Sequence, residues 1–107
     1  MSNSLNWVAA CHLDDIEDED VFRFEHAGEV VAIYRLGNAA FATDGYCTHE
    51  KALLTDGFVI DGVIECPLHQ GRFDARSGKA LGGPVCVDLR TYPVRIDAGR
   101  VLVGLPG

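Results

Sequence analysis

Basic residues are scarce in this sequence, and their scarcity limits the partners that the chain can bind. There are nine Lys and Arg residues against sixteen Asp and Glu, which gives a formal net charge of −7 and a pI near 4.8. Nucleic-acid binding depends on basic patches that neutralise phosphates, so we expect no nucleic-acid partner. Acidity of this kind favours solubility and, at most, docking to a basic protein surface.

Long hydrophobic runs are also missing. No apolar run approaches the roughly 20 residues that a membrane-spanning helix needs, so we expect no membrane segment. Residues 1–4 have neither the basic nor the apolar segment of a signal peptide, which predicts a cytoplasmic location. The 107 residues predict one domain, 1–107, whose 48% apolar content can fill a core but leaves no room for a separate substrate domain.

The sequence lacks a long stretch with helical periodicity, and its apolar residues form short runs between turns. Asp61-Gly62 joins the runs 58–60 and 63–65, and a two-residue Asp-Gly connection predicts a type I′ hairpin. Leu53 and Leu54 can form one helical turn at most. The fold class is therefore all-β, a small antiparallel sandwich or open barrel. The other predicted strands are 7–9, 21–24, 30–36, 39–43, 72–74, 89–96 (broken at Pro93) and 101–103.

Cysteine is limited to four residues, and two of them are each followed by a histidine two or three residues later. The chain reads Cys47-Thr48-His49, then sixteen residues, then Cys66-Pro67-Leu68-His69. In a reducing cytosol, metal ligation explains two such cysteines better than disulfides do. Thiolates suit iron–sulfur clusters and imidazoles suit iron or zinc, so each metal of a two-iron centre could take ligands of one type. A structural zinc site is the alternative, although zinc spacings usually group like ligands together.

This motif resembles the Rieske iron–sulfur family. Residues 66–74, Cys-Pro-Leu-His-Gln-Gly-Arg-Phe-Asp, are similar to the small Rieske ferredoxins of bacterial aromatic-ring dioxygenase systems. The resemblance implies a Rieske fold, in which a cluster-binding subdomain of about residues 44–84 is inserted into a β base. It also implies one [2Fe–2S] cluster and a covering loop that contains Pro84. The implied ligands are two cysteines on the inner iron and two histidines on the outer iron: Cys47, Cys66, His49 and His69.

The function that the resemblance implies is one-electron transfer. The electrons would pass from a flavin-containing, NADH-dependent ferredoxin reductase to a terminal oxygenase that hydroxylates an aromatic ring. The chain would be a monomer and not itself an enzyme. Two alternatives stay open: a small Rieske subunit of a reductase such as nitrite reductase, and a zinc-stapled interaction module.

Several reactive or charged residues lie outside the motif. We expect Cys11 and Cys86 to be buried small hydrophobes with no metal-binding role, because neither lies at motif spacing. His12 and His26 are predicted to be surface histidines at turns. The run 14–20 has six acids in seven residues, which predicts a solvated turn or, alternatively, a docking patch for a basic partner.

Overall fold

The computed structural model describes residues 5–48, 51–68, 70–82 and 87–106. Antiparallel strands dominate this part of the chain, with two short 3₁₀ turns at Leu13–Asp15 and Leu54–Asp56. Among the described residues, no helix is long and apolar enough to cross a membrane. The strands are β1 (Leu5–His12), β2 (Asp20–His26), β3 (Glu29–Leu36), β4 (Ala39–Asp44), β5 (Phe58–Ile60), β6 (Val63–Glu65), β7 (Arg72–Asp74), β8 (Ala80–Gly82), β9 (Thr91–Tyr92), β10 (Val94–Asp97) and β11 (Arg100–Pro106).

Two of the three sheets form a base. Their strand orders are β1-β11-β10 and β2-β3-β4-β9. Alternate residues of β3 and β11 supply much of the core of this base, because side chains alternate between the two faces of a strand. This base core consists of Ile16, Val31, Ile33, Ala42, Val101, Val103 and Leu105.

The third sheet, in the order β5-β6-β7-β8, lies between β4 and β9 in the chain. Its buried residues form a second cluster, which includes Ile64 and Phe73 from the sheet and Ala32 and Tyr34 from β3. Residues 30–34 are all buried, because one face of β3 packs in the base core and the other faces this second cluster. That double burial explains the unbroken apolar run of β3 in the sequence.

The predicted all-β, antiparallel architecture is confirmed, and so is the hairpin predicted at Asp61-Gly62. Asp61 and Gly62 have φ values of +53° and +76°, as a type I′ turn requires, and β5 pairs with β6 across them. Ala98 and Gly99 have similar values between β10 and β11.

Three local features differ from the sequence-based expectation. The strand β8 was not expected, because residues 79–82 show no apolar alternation; its pairing with β7 forms it. Residues on either side of Pro93 belong to different sheets, since β9 pairs with β4 and β10 with β11. Part of the acidic run forms the first 3₁₀ turn, and Asp20 begins β2.

Candidate metal centre

Backbone hydrogen bonds close the first ligand loop, which leads from β4 to the second 3₁₀ turn. The N–H of Leu54 donates to the carbonyl of Gly45 at 2.7 Å, and the N–H of Cys47 donates to the carbonyl of Ala52 at 2.9 Å. Gly45 is required here: a Cβ at this position would lie 2.5 Å from the Val30 side chain and 2.9 Å from its carbonyl oxygen. The loop thus holds Cys47 in a defined backbone geometry, with the side chain buried.

The second ligand loop connects β6 and β7. The N–H of Cys66 donates to the carbonyl of Gly71 at 2.7 Å, directly beyond the paired residues Glu65 and Arg72. Gln70 takes the left-handed conformation with φ +57°, which turns the chain back towards β7. Cys66 is almost completely buried, while Pro67 and Leu68 at the start of the loop are exposed.

Both cysteines belong to one buried cluster. Cys47 and Cys66 pack in the same core as Leu54, Ile64 and Phe73, so two loops far apart in sequence place their thiols in one apolar region. The β5–β6 hairpin makes this possible, because it carries the chain away from the first loop and returns it to the second. A pair of buried thiols with an apolar surround is a donor set that fits a soft-metal or iron–sulfur centre.

The two predicted histidine ligands, His49 and His69, lie outside the described residues, as do Glu50 and Gly83 to Cys86. Their neighbours in sequence Thr48, Leu68 and Gln70 are exposed. Within the described ranges, no group of three or more His, Cys, Asp or Glu side chains is placed to hold a metal ion. The ligand assignment of all four residues therefore stays a prediction.

A third segment, which the sequence motif did not indicate, is tied to the first loop. The hydroxyl of Thr48 donates to the carbonyl of Val87 at 2.7 Å. The next residues return to the third sheet, since Ala80 N–H donates to Asp88 Oδ1 at 2.8 Å and Leu89 N–H to the Gly78 carbonyl at 2.7 Å. No spacing rule could have found these contacts, because the partners lie 39 residues apart in the first case.

Of the two cysteines outside the motif, the described one packs against the base core and not in the cluster that holds Cys47 and Cys66. Cys11 is a half-buried free thiol that packs against the base core, and burial, reinforced by the charge of Asp15, raises its pKa to about 11. A thiol with so high a pKa stays protonated at neutral pH and is a poor metal ligand. His12 and His26 are exposed at strand ends, as predicted. The prediction for Cys86 falls on a residue outside the described ranges.

The acidic run is exposed, as predicted, but several of its carboxylates have structural partners. Asp18 accepts a hydrogen bond from Gly37 N–H at 2.7 Å, and Glu19 accepts one from Asp61 N–H at 3.0 Å. The second contact joins the base to the turn of the β5–β6 hairpin. Sequence reasoning missed this role because acidic side chains that bind backbone N–H groups leave no periodic pattern.

The chain belongs to the Rieske [2Fe–2S] domain family, whose sequence profile matches residues 6–93. Its cofactor is accordingly one Rieske-type [2Fe–2S] cluster, and the buried thiols described above fit that group. When bound, such a cluster accepts and releases a single electron. The predicted family, fold and cofactor are thereby confirmed.

Within this family, the chain is similar to ferredoxins. It is 47% identical, over 92% of its length and 94% of the relative's, to the ferredoxin component of naphthalene 1,2-dioxygenase/salicylate 5-hydroxylase systems of Ralstonia sp. It also matches a chain in the complex of reduced oxygenase and oxidised ferredoxin of carbazole 1,9a-dioxygenase. That match has a TM-score of 0.89 at 32% identity, and covers 94% of this chain and 95% of the other. The predicted role of electron carrier, not catalyst, is confirmed.

One further likeness concerns the fold alone. The small subunit of a putative NADH-dependent nitrite reductase from Mycobacterium tuberculosis has a TM-score of 0.83 at only 23% identity. The match covers 96% of this chain and 97% of that one. The shared fold gives the nitrite-reductase alternative no support beyond the architecture, whereas the ferredoxin likeness extends to the sequence.

Proposed function

We propose that this chain is the ferredoxin component of an aromatic-ring-hydroxylating dioxygenase system. It receives single electrons from a flavin-containing, NADH-dependent reductase and passes them to a terminal oxygenase. The chain supplies the position and surroundings of the cluster, and the oxygenase selects the aromatic substrate. The similarity over nearly the full length to ferredoxin components of such systems supports this proposal.

The observation that carries the proposal is the burial of two thiols, from two separate loops, in one core. In the ligand assignment, Cys47 and Cys66 bind the inner iron and His49 and His69 bind the outer iron. The exposure of Cys47 is 8% and that of Cys66 is 1%, so the apolar side chains around them exclude water from the inner half of the centre. The residues next to the two histidines in sequence, Thr48, Leu68 and Gln70, are exposed, which supports an outer iron that a partner could approach.

We assign the cluster-binding part of the domain to residues about 44–84. The third sheet lies within this range, and the connections to the base are at Asp44 in β4 and at the segment that leads to β9. The chain acts as a monomer, which light scattering of the purified protein tests.

Both partners use the surface beside the ligand loops. Tyr46, Leu68 and Val87 are large apolar residues with exposures of 44%, 48% and 60%, and they adjoin the two loops and the third segment. Exposed apolar groups next to the predicted histidine ligands suit a partner that must approach the cluster closely. Lys51 and Gln70 are exposed at the same loops, and Glu50 and Pro84 are assigned to this surface from the sequence. One shared surface requires the ferredoxin to shuttle between reductase and oxygenase.

The shuttle is tested by introducing a bulky residue. Lys51→Trp and Gln70→Trp should each slow reduction by the reductase and oxidation by the oxygenase, with the midpoint potential unchanged. A stable ternary complex of the three proteins would contradict the shared surface. Glu17→Gln, which removes the charge of an exposed acid in the run 14–20, is the control and should mainly alter the salt dependence of both rates.

Reconstitution tests the function itself. Reductase, oxygenase, NADH and an aromatic substrate are combined with and without the ferredoxin, and the hydroxylated product is measured. Product formation should require the ferredoxin and should fail with Cys66→Ala. Equal turnover without the ferredoxin would overturn the proposal, as would a reduced ferredoxin that nitrite reductase oxidises and the oxygenase does not.

A further inference from the structure

All three polar groups of Asp44 have partners, although the residue is half-buried and lies outside the ligand motif. Its N–H donates to the carbonyl of Arg90 at 2.9 Å, and its carbonyl accepts a hydrogen bond from the Thr43 hydroxyl at 2.9 Å. Its carboxylate accepts a hydrogen bond from the Tyr92 hydroxyl at 2.5 Å. Asp44 is the last residue of β4 and precedes Cys47 by three positions.

Strand pairing places Tyr92 where its phenol can reach Asp44. The short strand β9 pairs with β4 so that Tyr92 lies opposite Ala42. Ala42 precedes Asp44 by two residues on β4, so their side chains are on the same face of the sheet. A diagonal neighbour at this spacing is within reach of a long aromatic side chain. The Arg90 guanidinium lies 5.0 Å from the centre of the Tyr92 ring and covers it. The contact is thus built by the register of two strands that are 48 residues apart.

Between Asp44 and Cys47, backbone hydrogen bonds hold the first loop in place. Gly45 has no side chain, and its N–H donates to the Val30 carbonyl at 2.9 Å. The Gly45 carbonyl accepts a hydrogen bond from the Leu54 N–H at 2.7 Å, Tyr46 is exposed, and the Cys47 N–H donates to the Ala52 carbonyl. Only two residues, held through their backbone, separate Asp44 from Cys47.

We propose that Tyr92 and Asp44 are positioning residues for the cluster, and that their phenol–carboxylate hydrogen bond fixes the point from which the first ligand loop begins. The proposal rests on the assignment of Cys47 as a ligand. It supplies a contact outside the immediate coordination sphere, of the kind that commonly orients metal ligands.

The phenol can serve this purpose over the whole working pH range. Burial, together with the hydrogen bond to Asp44, raises the pKa of Tyr92 to about 12. Tyr92 therefore stays protonated and donates the hydrogen bond, and the carboxylate accepts it.

The test uses the holoprotein with Tyr92→Phe, Asp44→Ala, Asp44→Asn and the double variant Tyr92→Phe/Asp44→Ala. Iron release to a chelator is timed in native buffer, and the electron paramagnetic resonance (EPR) spectrum of the reduced cluster is recorded. Tyr92→Phe and Asp44→Ala should each release iron about tenfold faster and broaden the spectrum. The double variant should be no worse than either single variant, because both changes remove the same hydrogen bond. Asp44→Asn keeps an acceptor oxygen and should restore a narrow spectrum and slow release.

Ile16→Val is the matched control. Ile16 is buried in the base core, which is separate from the cluster that contains Cys47 and Cys66. This variant should lower the stability of the fold yet leave iron release and the spectrum as in the parent protein. Faster release in Ile16→Val to the same degree would overturn the inference, since a general loss of stability would then explain all the variants.

Two other results would also overturn it. One is iron release in the double variant that is faster than in either single variant. The other is iron release in Asp44→Asn that is as fast as in Asp44→Ala. Failure of the ligand assignment is distinguishable, because it would appear as full cluster content in Cys47→Ala. The positioning variants retain every assigned ligand and address only how the loop is held.

Discussion

Gly57 lies against Glu65 where the first ligand loop ends and the second begins, so Gly57→Ala should push the two segments apart. Gly57 follows the 3₁₀ turn that ends the first loop, and Glu65 immediately precedes Cys66. A Cβ on Gly57 would lie 2.0 Å from the Glu65 carbonyl oxygen, where real Cβ contacts are never shorter than 3.0 Å. The two segments must therefore separate by about 1 Å, because a carbonyl oxygen in a paired strand cannot rotate away.

The expected loss in the free energy of unfolding can be estimated from that clash. Adding a methyl group to a close-packed site costs about 1–3 kcal/mol, and a rigid backbone neighbour places Gly57→Ala near the upper end. The φ of Gly57 is −89°, which any residue adopts, so conformational strain adds nothing. We expect the free energy of unfolding in urea to fall by about 3 kcal/mol. The iron content per chain should fall as well, since the shift reaches Cys66.

Gly28→Ala is the control for this prediction. Gly28 lies in a hairpin turn of the base with φ +80°, and a Cβ there would meet nothing within 4 Å. The left-handed conformation should cost about 1–2 kcal/mol while the cluster content stays full. A Gly57→Ala protein with parental stability and full iron content would refute the reasoning that this contact sets the separation of the loops.

Three further predictions concern the cysteines, a buried hydroxyl and alkaline pH. Cys66→Ala should yield a folded but colourless protein, whereas Cys11→Ser should keep the red-brown colour; the visible spectrum decides, and the reverse result would show that the ligands are misassigned. Thr55→Val should raise the free energy of unfolding by about 1 kcal/mol, because the buried Thr55 Oγ1 has no hydrogen-bond partner among the described residues; a clear loss of stability in urea unfolding would contradict this. Burial raises the pKa of Tyr34, so the stability that its phenol contributes is complete below about pH 10 and is lost as pH rises further. In urea unfolding at increasing alkaline pH, the free energy of unfolding should therefore decline less steeply for Tyr34→Phe than for the parent protein. Equal slopes of this free energy against pH would disprove the effect.

The sequence was sufficient for the strands and hairpins whose cause is local. The turn Asp61-Gly62 needs two positive φ angles, and the short strands on either side pair with each other across it. The unbroken apolar run of β3 likewise predicted a buried strand, and both of its faces are buried. These features could be read from a few adjacent residues.

Features that depend on distant partners could not be predicted. The strand β8 has no pattern of its own and exists because β7 pairs with it. The contact of Thr48 with Val87, and that of Asp44 with Tyr92, join residues 39 and 48 positions apart. Hydrogen bonds of this kind follow from the register of the sheets, which the composition of either segment alone does not specify.

For the candidate centre, the motif indicated which residue types cooperate but not how the protein holds them. The motif paired Cys47 with Cys66, and both cysteines lie in one buried cluster. It gave no indication of Gly45 or Gly57, whose missing side chains allow the close backbone contacts. Those contacts become visible only once the chain is folded.

The central claim, a Rieske cluster with two cysteine and two histidine ligands, is tested most directly by electron–nuclear double resonance. The reduced protein is prepared with ¹⁵N only in histidine, so that any ¹⁵N coupling to the cluster must come from imidazole. The account predicts couplings from two histidine nitrogens, which disappear one at a time in His49→Ala and His69→Ala variants that retain paramagnetic clusters. A reduced cluster without ¹⁵N couplings would contradict the account, and so would two couplings that survive in both variants.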